Sequence, residues 1–135
     1  MKIEDFPLAW RWTNPKYAVF PENVLQELLP LSADSAGQLS ALALHALQHQ
    51  KLEFEPSEDA AATQRWFESL AVPSGRVSVV WDKHTALSVP WSLFCAYWND
   101  FCYPFSDDVD IFLSDNRLLL RWRHDGLFEY DPGAL

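Results

Sequence analysis

Two apolar–polar alternations in the C-terminal part constrain this chain more than anything else in it. Val109, Ile111 and Leu113 alternate with Asp108, Asp110 and Phe112, and Leu118, Leu120 and Trp122 repeat the pattern beyond Asp115-Asn116. A period of two marks a strand with one buried face. A two-residue turn at Asp115-Asn116 pairs Leu113 with Leu118, Ile111 with Leu120 and Val109 with Trp122, all on one face. The same register sets Asp110 opposite Arg121 and Asp108 opposite Arg123. A slip of one residue would turn every apolar side chain to the wrong face, so the register is strongly specified. The next turn holds His124-Asp125-Gly126. A three-residue loop with Gly126 left-handed pairs Trp122 with Phe128 and Arg121 with Glu129, whereas a two-residue Asp-Gly turn would set Trp122 against Glu129. The expectation is an antiparallel meander.

The N-terminal half has a different period. Phe6, Leu8, Trp10 and Trp12 alternate with Pro7, Ala9 and Arg11, which reads as an extended segment. Pro21 then suits a first helical turn, with Val24, Leu25, Leu28 and Leu29 as its stripe and Pro30 as its end. A second helix is expected from Ser32 or Asp34, carrying Leu39, Leu42, Ala43, Ala46 and Leu47. Ser57 caps a third, with Trp66, Phe67 and Leu70 as its apolar face, and Pro73-Ser74-Gly75 breaks it. Val77, Val79 and Trp81 alternate as a strand. Pro90 opens a fourth helix with Trp91, Phe94, Trp98 and Phe101 on one face, ended by Tyr103-Pro104. The fold class is therefore α+β: N-terminal helices packed on a C-terminal antiparallel meander, with one further helix before it.

At 135 residues the chain fits a single domain spanning 1–135. Nearly half of it is apolar, which a disordered chain is not. No run approaches a membrane span, and the start, Met1-Lys2-Ile3-Glu4-Asp5, lacks the basic and apolar regions of an export signal. A soluble cytoplasmic protein is expected. The formal charge of −9 and the lack of a Lys/Arg cluster argue against nucleic acid as a partner. An acidic surface repels phosphate and attracts basic partners, although acidity also serves plain solubility.

Signatures of catalysis are missing: no G-x-S-x-G, P-loop, G-x-G-x-x-G, H-E-x-x-H or C-x-x-C occurs. His45 and His49 have metal-ligand spacing, but no glutamate follows His45 and a solvated helix face gives the same spacing. Asp107, Asp108 and Asp110 suggest a cation loop, yet Phe112 and Leu119 fall where an EF-hand needs ligands. No metal and no cofactor is therefore expected. On one helix Cys95 and Cys102 are separated by roughly 10 Å of rise, too far for a disulfide. They read as reduced structural thiols, and acidic neighbours make Cys102 a poor nucleophile.

One segment stands apart. From Thr85 to Asp115 there is no Lys or Arg, but there are five acids: Asp100, Asp107, Asp108, Asp110 and Asp115. Eight aromatic residues share the segment, and three of them, Tyr97, Phe105 and Phe112, fall off the faces assigned to the core. Exposed rings rimmed by acids suit an interface for a basic protein; rings covered by the N-terminal helices would serve only the core. Asp100, Phe105, Asp107, Asp108 and Phe112 are the candidate partner-binding residues.

The run 97–109, Tyr-Trp-Asn-Asp-Phe-Cys-Tyr-Pro-Phe-Ser-Asp-Asp-Val, continued by Leu118 to His124 and Leu127-Phe128-Glu129-Tyr130, resembles small bacterial proteins, some of them similar to immunity partners of polymorphic toxins. The resemblance covers roughly the last 50 residues and implies no catalytic residue. It implies a non-enzymatic acidic protein that neutralises a basic toxin domain by contact. Two other readings stay open: a small enzyme built around His124 with Asp107 or Glu129, and an oligomer-forming module.

Overall fold

The computed structural model describes residues 1–46, 52–56, 58–73 and 75–135, without the side chains of 45 and 46. His49, Leu47, Ser57 and Ser74 lie outside the described residues, as does the His45 side chain, so the expectations placed on them do too.

The fold is α+β, as the change of period implies. Among the described residues seven strands form one sheet, antiparallel at every pairing: β1 (Leu29–Pro30), β2 (Leu52–Phe54), β3 (Arg76–Asp82), β4 (Thr85–Pro90), β5 (Val109–Phe112), β6 (Leu118–Trp122) and β7 (Phe128–Tyr130). Their order is β1-β4-β3-β5-β6-β7-β2. Among the described residues there are five α-helices: α1 (Trp10–Thr13), α2 (Glu22–Leu25), α3 (Ala33–Ala46), α4 (Ala60–Glu68) and α5 (Trp91–Phe101). No helix among the described residues is long and apolar enough to cross a membrane.

The alternation in the central strands divides the core in two. Val77, Val79, Leu87, Val89, Val109, Ile111 and Trp122 pack with Phe94, Trp98 and Phe101 of α5 and Phe67 of α4. Their neighbours in the strands, Val80, Ala86 and Phe112, point the other way and meet Ala36, Leu39 and Ala43 of α3. Phe112 is 0 % exposed, which overturns its assignment to an exposed surface. The sheet has helices against both faces, so the residue off one core face belongs to the other.

The meander follows its expected register in most respects. Val109 faces Trp122, Asp110 faces Arg121, Ile111 faces Leu120, Arg121 faces Glu129 and Trp122 faces Phe128. Gly126 is left-handed at φ +88°, and Arg123 and Leu127 close the three-residue loop. Two details differ. A bulge sets Phe112, not Leu113, against Leu118, leaving Leu119 buried in the larger core while Leu118 joins the smaller one. Arg123 binds Glu53, Asp125 and Glu129, while Asp108 turns to His124.

Phe6 to Phe20 is not extended. Ile3–Asp5 is a 3-10 turn and Trp10–Thr13 a single α-helical turn. The buried apolar residues from Phe6 to Trp12 are Phe6, Ala9 and Trp12, three apart, and that helical spacing hides beneath an equally regular alternation. The Pro21 helix also stops early, because Leu29–Pro30 joins β4 as an edge strand. Strand β4 itself shows no alternation: Thr85, Ala86, Leu87 and Val89 are all buried, since both faces of the sheet are covered there.

Candidate functional site

Helix α5 is anchored at its end by tryptophans from elsewhere in the chain. Helix C-termini leave carbonyls without intrahelical partners. Trp12 donates its indole N–H to the Asp100 carbonyl at 3.0 Å, and Trp81 donates to Phe101 at 3.0 Å. Trp122 donates to the Tyr103 carbonyl at 3.0 Å, two residues further on. These bonds fix where the loop 102–108 leaves the helix, and the candidate site is that loop.

The loop closes around Asp107. Its carboxylate accepts the Tyr103 N–H at 2.9 Å and the Ser106 hydroxyl at 3.3 Å. Arg11 supplies the main contact, with Nη1 at 2.6 Å from Oδ2 and Nη2 at 2.9 Å from Oδ1. Burial works to raise the Asp107 pKa, but the hydrogen bonds from Arg11 and the Tyr103 N–H outweigh it, so the carboxyl lies below its ordinary value. Tyr103 covers the guanidinium, with the Arg11 Cζ 4.0 Å from the ring centroid.

Outside this buried pair lies an aromatic patch. Trp10 is 41 % exposed and Tyr17 49 %, and their rings meet edge to face at 4.7 Å. Trp10 also approaches Tyr103 at 6.4 Å. Phe105, two residues after Tyr103 in the loop, is 91 % exposed and makes no ring contact with these three. Its backbone is left-handed, at φ +72°, a conformation strained for a bulky L-residue. The N–H of Phe105 donates to the His124 carbonyl at 2.8 Å, which holds it there.

Two further acids border the patch. Asp108 accepts the His124 N–H at 3.0 Å, and the His124 Nδ1 lies 2.9 Å from the same oxygen. Slight burial raises the Asp108 pKa, and the bonds from His124 outweigh it and leave it lowered. Asp100 is half-buried, and burial pushes its pKa up. No ion pair joins its carboxylate to any described residue. Asp100 lies in the last turn of α5, three residues before Tyr103, which places it at the margin of the patch.

Four of the five candidate residues, Asp100, Phe105, Asp107 and Asp108, lie at the end of α5 and in the loop that follows it. Asp107 is nevertheless 6 % exposed and committed to Arg11, so it builds the site without offering a free carboxylate. Phe112 lies in the smaller core, apart from the site. Tyr97 is half-buried against Phe20 at 4.4 Å. His124 meets Asp108, while Glu129 binds Arg123, so the constellation of His124 with Asp107 or Glu129 does not assemble. Sequence reasoning missed Arg11, Trp10 and Tyr17. The usable signal was an arginine set between two tryptophans, since a cation in apolar surroundings needs a carboxylate somewhere in the chain. No group of three His, Cys, Asp or Glu suited to hold a metal occurs among the described residues.

No family model, curated protein or solved structure matches this chain.

Proposed function

We propose that this protein is a non-enzymatic binding protein whose patch of Trp10, Tyr17, Tyr103 and Phe105 docks a basic protein partner. The observation that carries this reading is Phe105, a ring 91 % exposed on a left-handed backbone. That conformation costs an L-residue about 1–2 kcal/mol, and a ring in water returns nothing to the core. Strain of this kind collects at functional sites, where the surroundings over-determine it. Exposed aromatic rings are enriched at binding surfaces, and acids around them favour a basic partner. The net charge of −9 speeds encounter with a basic partner and makes it salt-dependent. An immunity protein that covers a basic toxin domain is the narrower form of this proposal, and the cytoplasm is where it would act.

The test begins with a photo-cross-linking amino acid at position 105 in the native cell, which identifies the partner. Binding of the purified partner is then compared between wild type and Phe105→Gly. The variant is expected to dissociate faster, with a loss of about 1–3 kcal/mol. For the immunity form, the partner is toxic alone and harmless in the complex. The reading is overturned if the footprint lies away from residues 100–108, Trp10 and Tyr17 and the variant binds like wild type.

A further inference from the structure

Beside Phe105 the surface opens into a cleft of about 260 Å³, walled by Pro7, Leu8 and Trp81. The next residue along from Phe105, Ser106, lines it. Asp82 and Asp108 are exposed and stand at its mouth, while Asp107 lies deeper in its pair with Arg11. Three carboxylates against one guanidinium leave this lining with an excess of two negative charges. His124 touches Asp108 from outside the lining, and Lys83, next to Asp82, lines a different hollow against α3.

The deeper part holds polar groups that the fold does not satisfy. Thr85 is 7 % exposed, and no hydrogen bond joins its hydroxyl to any described residue. The Arg11 Nε–H is also buried without a partner, but as a donor it calls for an acceptor and has no bearing on a cation in the cleft. The Thr85 hydroxyl is not sealed from solvent: it opens to the cleft, where it can accept a hydrogen bond.

We propose that this cleft seats one arginine side chain of the basic partner. Its methylene stem lies against Pro7, Leu8 and Trp81, and its guanidinium meets Asp82 and Asp108, with the Thr85 hydroxyl as a further acceptor. Arginine suits the site better than lysine. A guanidinium offers five donors in a planar fork and sheds water readily, whereas an ammonium offers three and is strongly hydrated. This inference rests on the reading of the Phe105 patch as the docking surface, because one partner would cover both.

The experiment is a titration of the isotope-labelled protein, followed by amide chemical shifts, with the blocked peptides acetyl-Gly-Arg-Gly-amide and acetyl-Gly-Lys-Gly-amide. The arginine peptide is expected to bind in the millimolar range and to shift Trp81, Asp82, Thr85 and Ser106 together, more tightly than the lysine peptide. Asp82→Asn combined with Asp108→Asn should weaken it about tenfold. Asparagine keeps the oxygens that accept the His84 and His124 N–H groups, so both turns survive. Thr85→Val removes the hydroxyl at nearly constant volume and should weaken binding severalfold. Shifts scattered over other surface acids, equal affinity for the two peptides, or no effect of the double variant would each overturn the proposal. Phe105→Gly separates the two ideas, since it should spare peptide binding and weaken only the partner. A partner that needs Phe105 while the peptide never enters sinks the cleft and leaves the patch. A peptide that enters while the partner ignores Phe105 does the reverse.

Discussion

Arg11 holds Asp107 by two parallel hydrogen bonds of 2.6 and 2.9 Å across 96 residues of chain, and both side chains are buried. The pair ties the N-terminal helical turn to the loop that leaves α5. The geometry is the planar fork that makes arginine the better cation for a desolvated carboxylate. The Tyr103 ring and N–H complete the enclosure.

Breaking this pair from one side strands a charge in the interior. Arg11→Ala is therefore expected to cost about 3–5 kcal/mol, measured by urea denaturation. Arg11→Met with Asp107→Leu should recover much of that, because no buried charge is left over. The pH dependence has a fixed sign. The folded pKa of Asp107 lies below its unfolded value, so the stabilisation is fully present above the unfolded value and disappears as pH falls through the folded one. Wild type should thus lose stability in acid more steeply than the double variant does.

Asp100 has the opposite sign. Burial raises its pKa and no base compensates, so the folded state holds its proton more tightly than the unfolded chain. Stability then falls as pH rises through that window. Asp100→Asn should raise the urea midpoint at neutral pH and leave it unchanged at a pH where the wild-type carboxyl is already protonated. Equal midpoints at neutral pH would refute this.

Phe105 and Phe112 give a matched contrast seven residues apart. Phe112→Ala empties a fully buried site in the smaller core and should cost about 3–5 kcal/mol. Phe105→Gly removes an exposed ring and relieves the left-handed backbone. It should stabilise the fold by about 0.5–1 kcal/mol once the extra freedom of glycine in the unfolded chain is subtracted. Thermal denaturation of both variants, beside the binding assay, shows whether the ring serves the partner at the expense of the fold.

The thiols should be inert. Cys95 and Cys102 are buried and unpaired. Burial, reinforced by Glu68, pushes the Cys95 pKa up to about 12. Burial, reinforced by Asp107, raises that of Cys102 well above the usual thiol range. An aromatic disulfide reagent at mildly alkaline pH should leave the native protein unmodified and find two groups after denaturation without reductant. Fast labelling of the native state would contradict the packing.

The legible parts of the sequence were those where one face of a strand is apolar and the other carries charged residues. The pairings of Asp110 with Arg121 and Trp122 with Phe128 could be counted out because a shift of one residue would expose an apolar row. Strand β4 gave no such signal, since its residues are buried toward both helical layers. Phe112 was misplaced for the same reason: a ring opposite one core reads as solvent-facing until a second core is known. The sequence leaves open whether Phe105 is exposed or covered, and it gives no sign of the Arg11–Asp107 contact, because no local pattern links positions so far apart. The alternation of Phe6 to Trp12 misled because every second and every third residue were both apolar, and tertiary packing chose between them.

The strand order also bears on how the chain is made. Both edges of the sheet, β1 and β2, come from the first half of the chain, and the strands they border, β4 and β7, are translated later. A growing chain on the ribosome therefore exposes its edges before it has a centre for them to join. Leu52 to Phe54 must wait for Phe128 to Tyr130, more than 70 residues further along the chain. Pairings of such long range are slow to form, and the sheet cannot be completed before β7 has been made. A nascent chain stalled before β7 would present unpaired strands and uncovered aromatic rings, the very surfaces that chaperones hold.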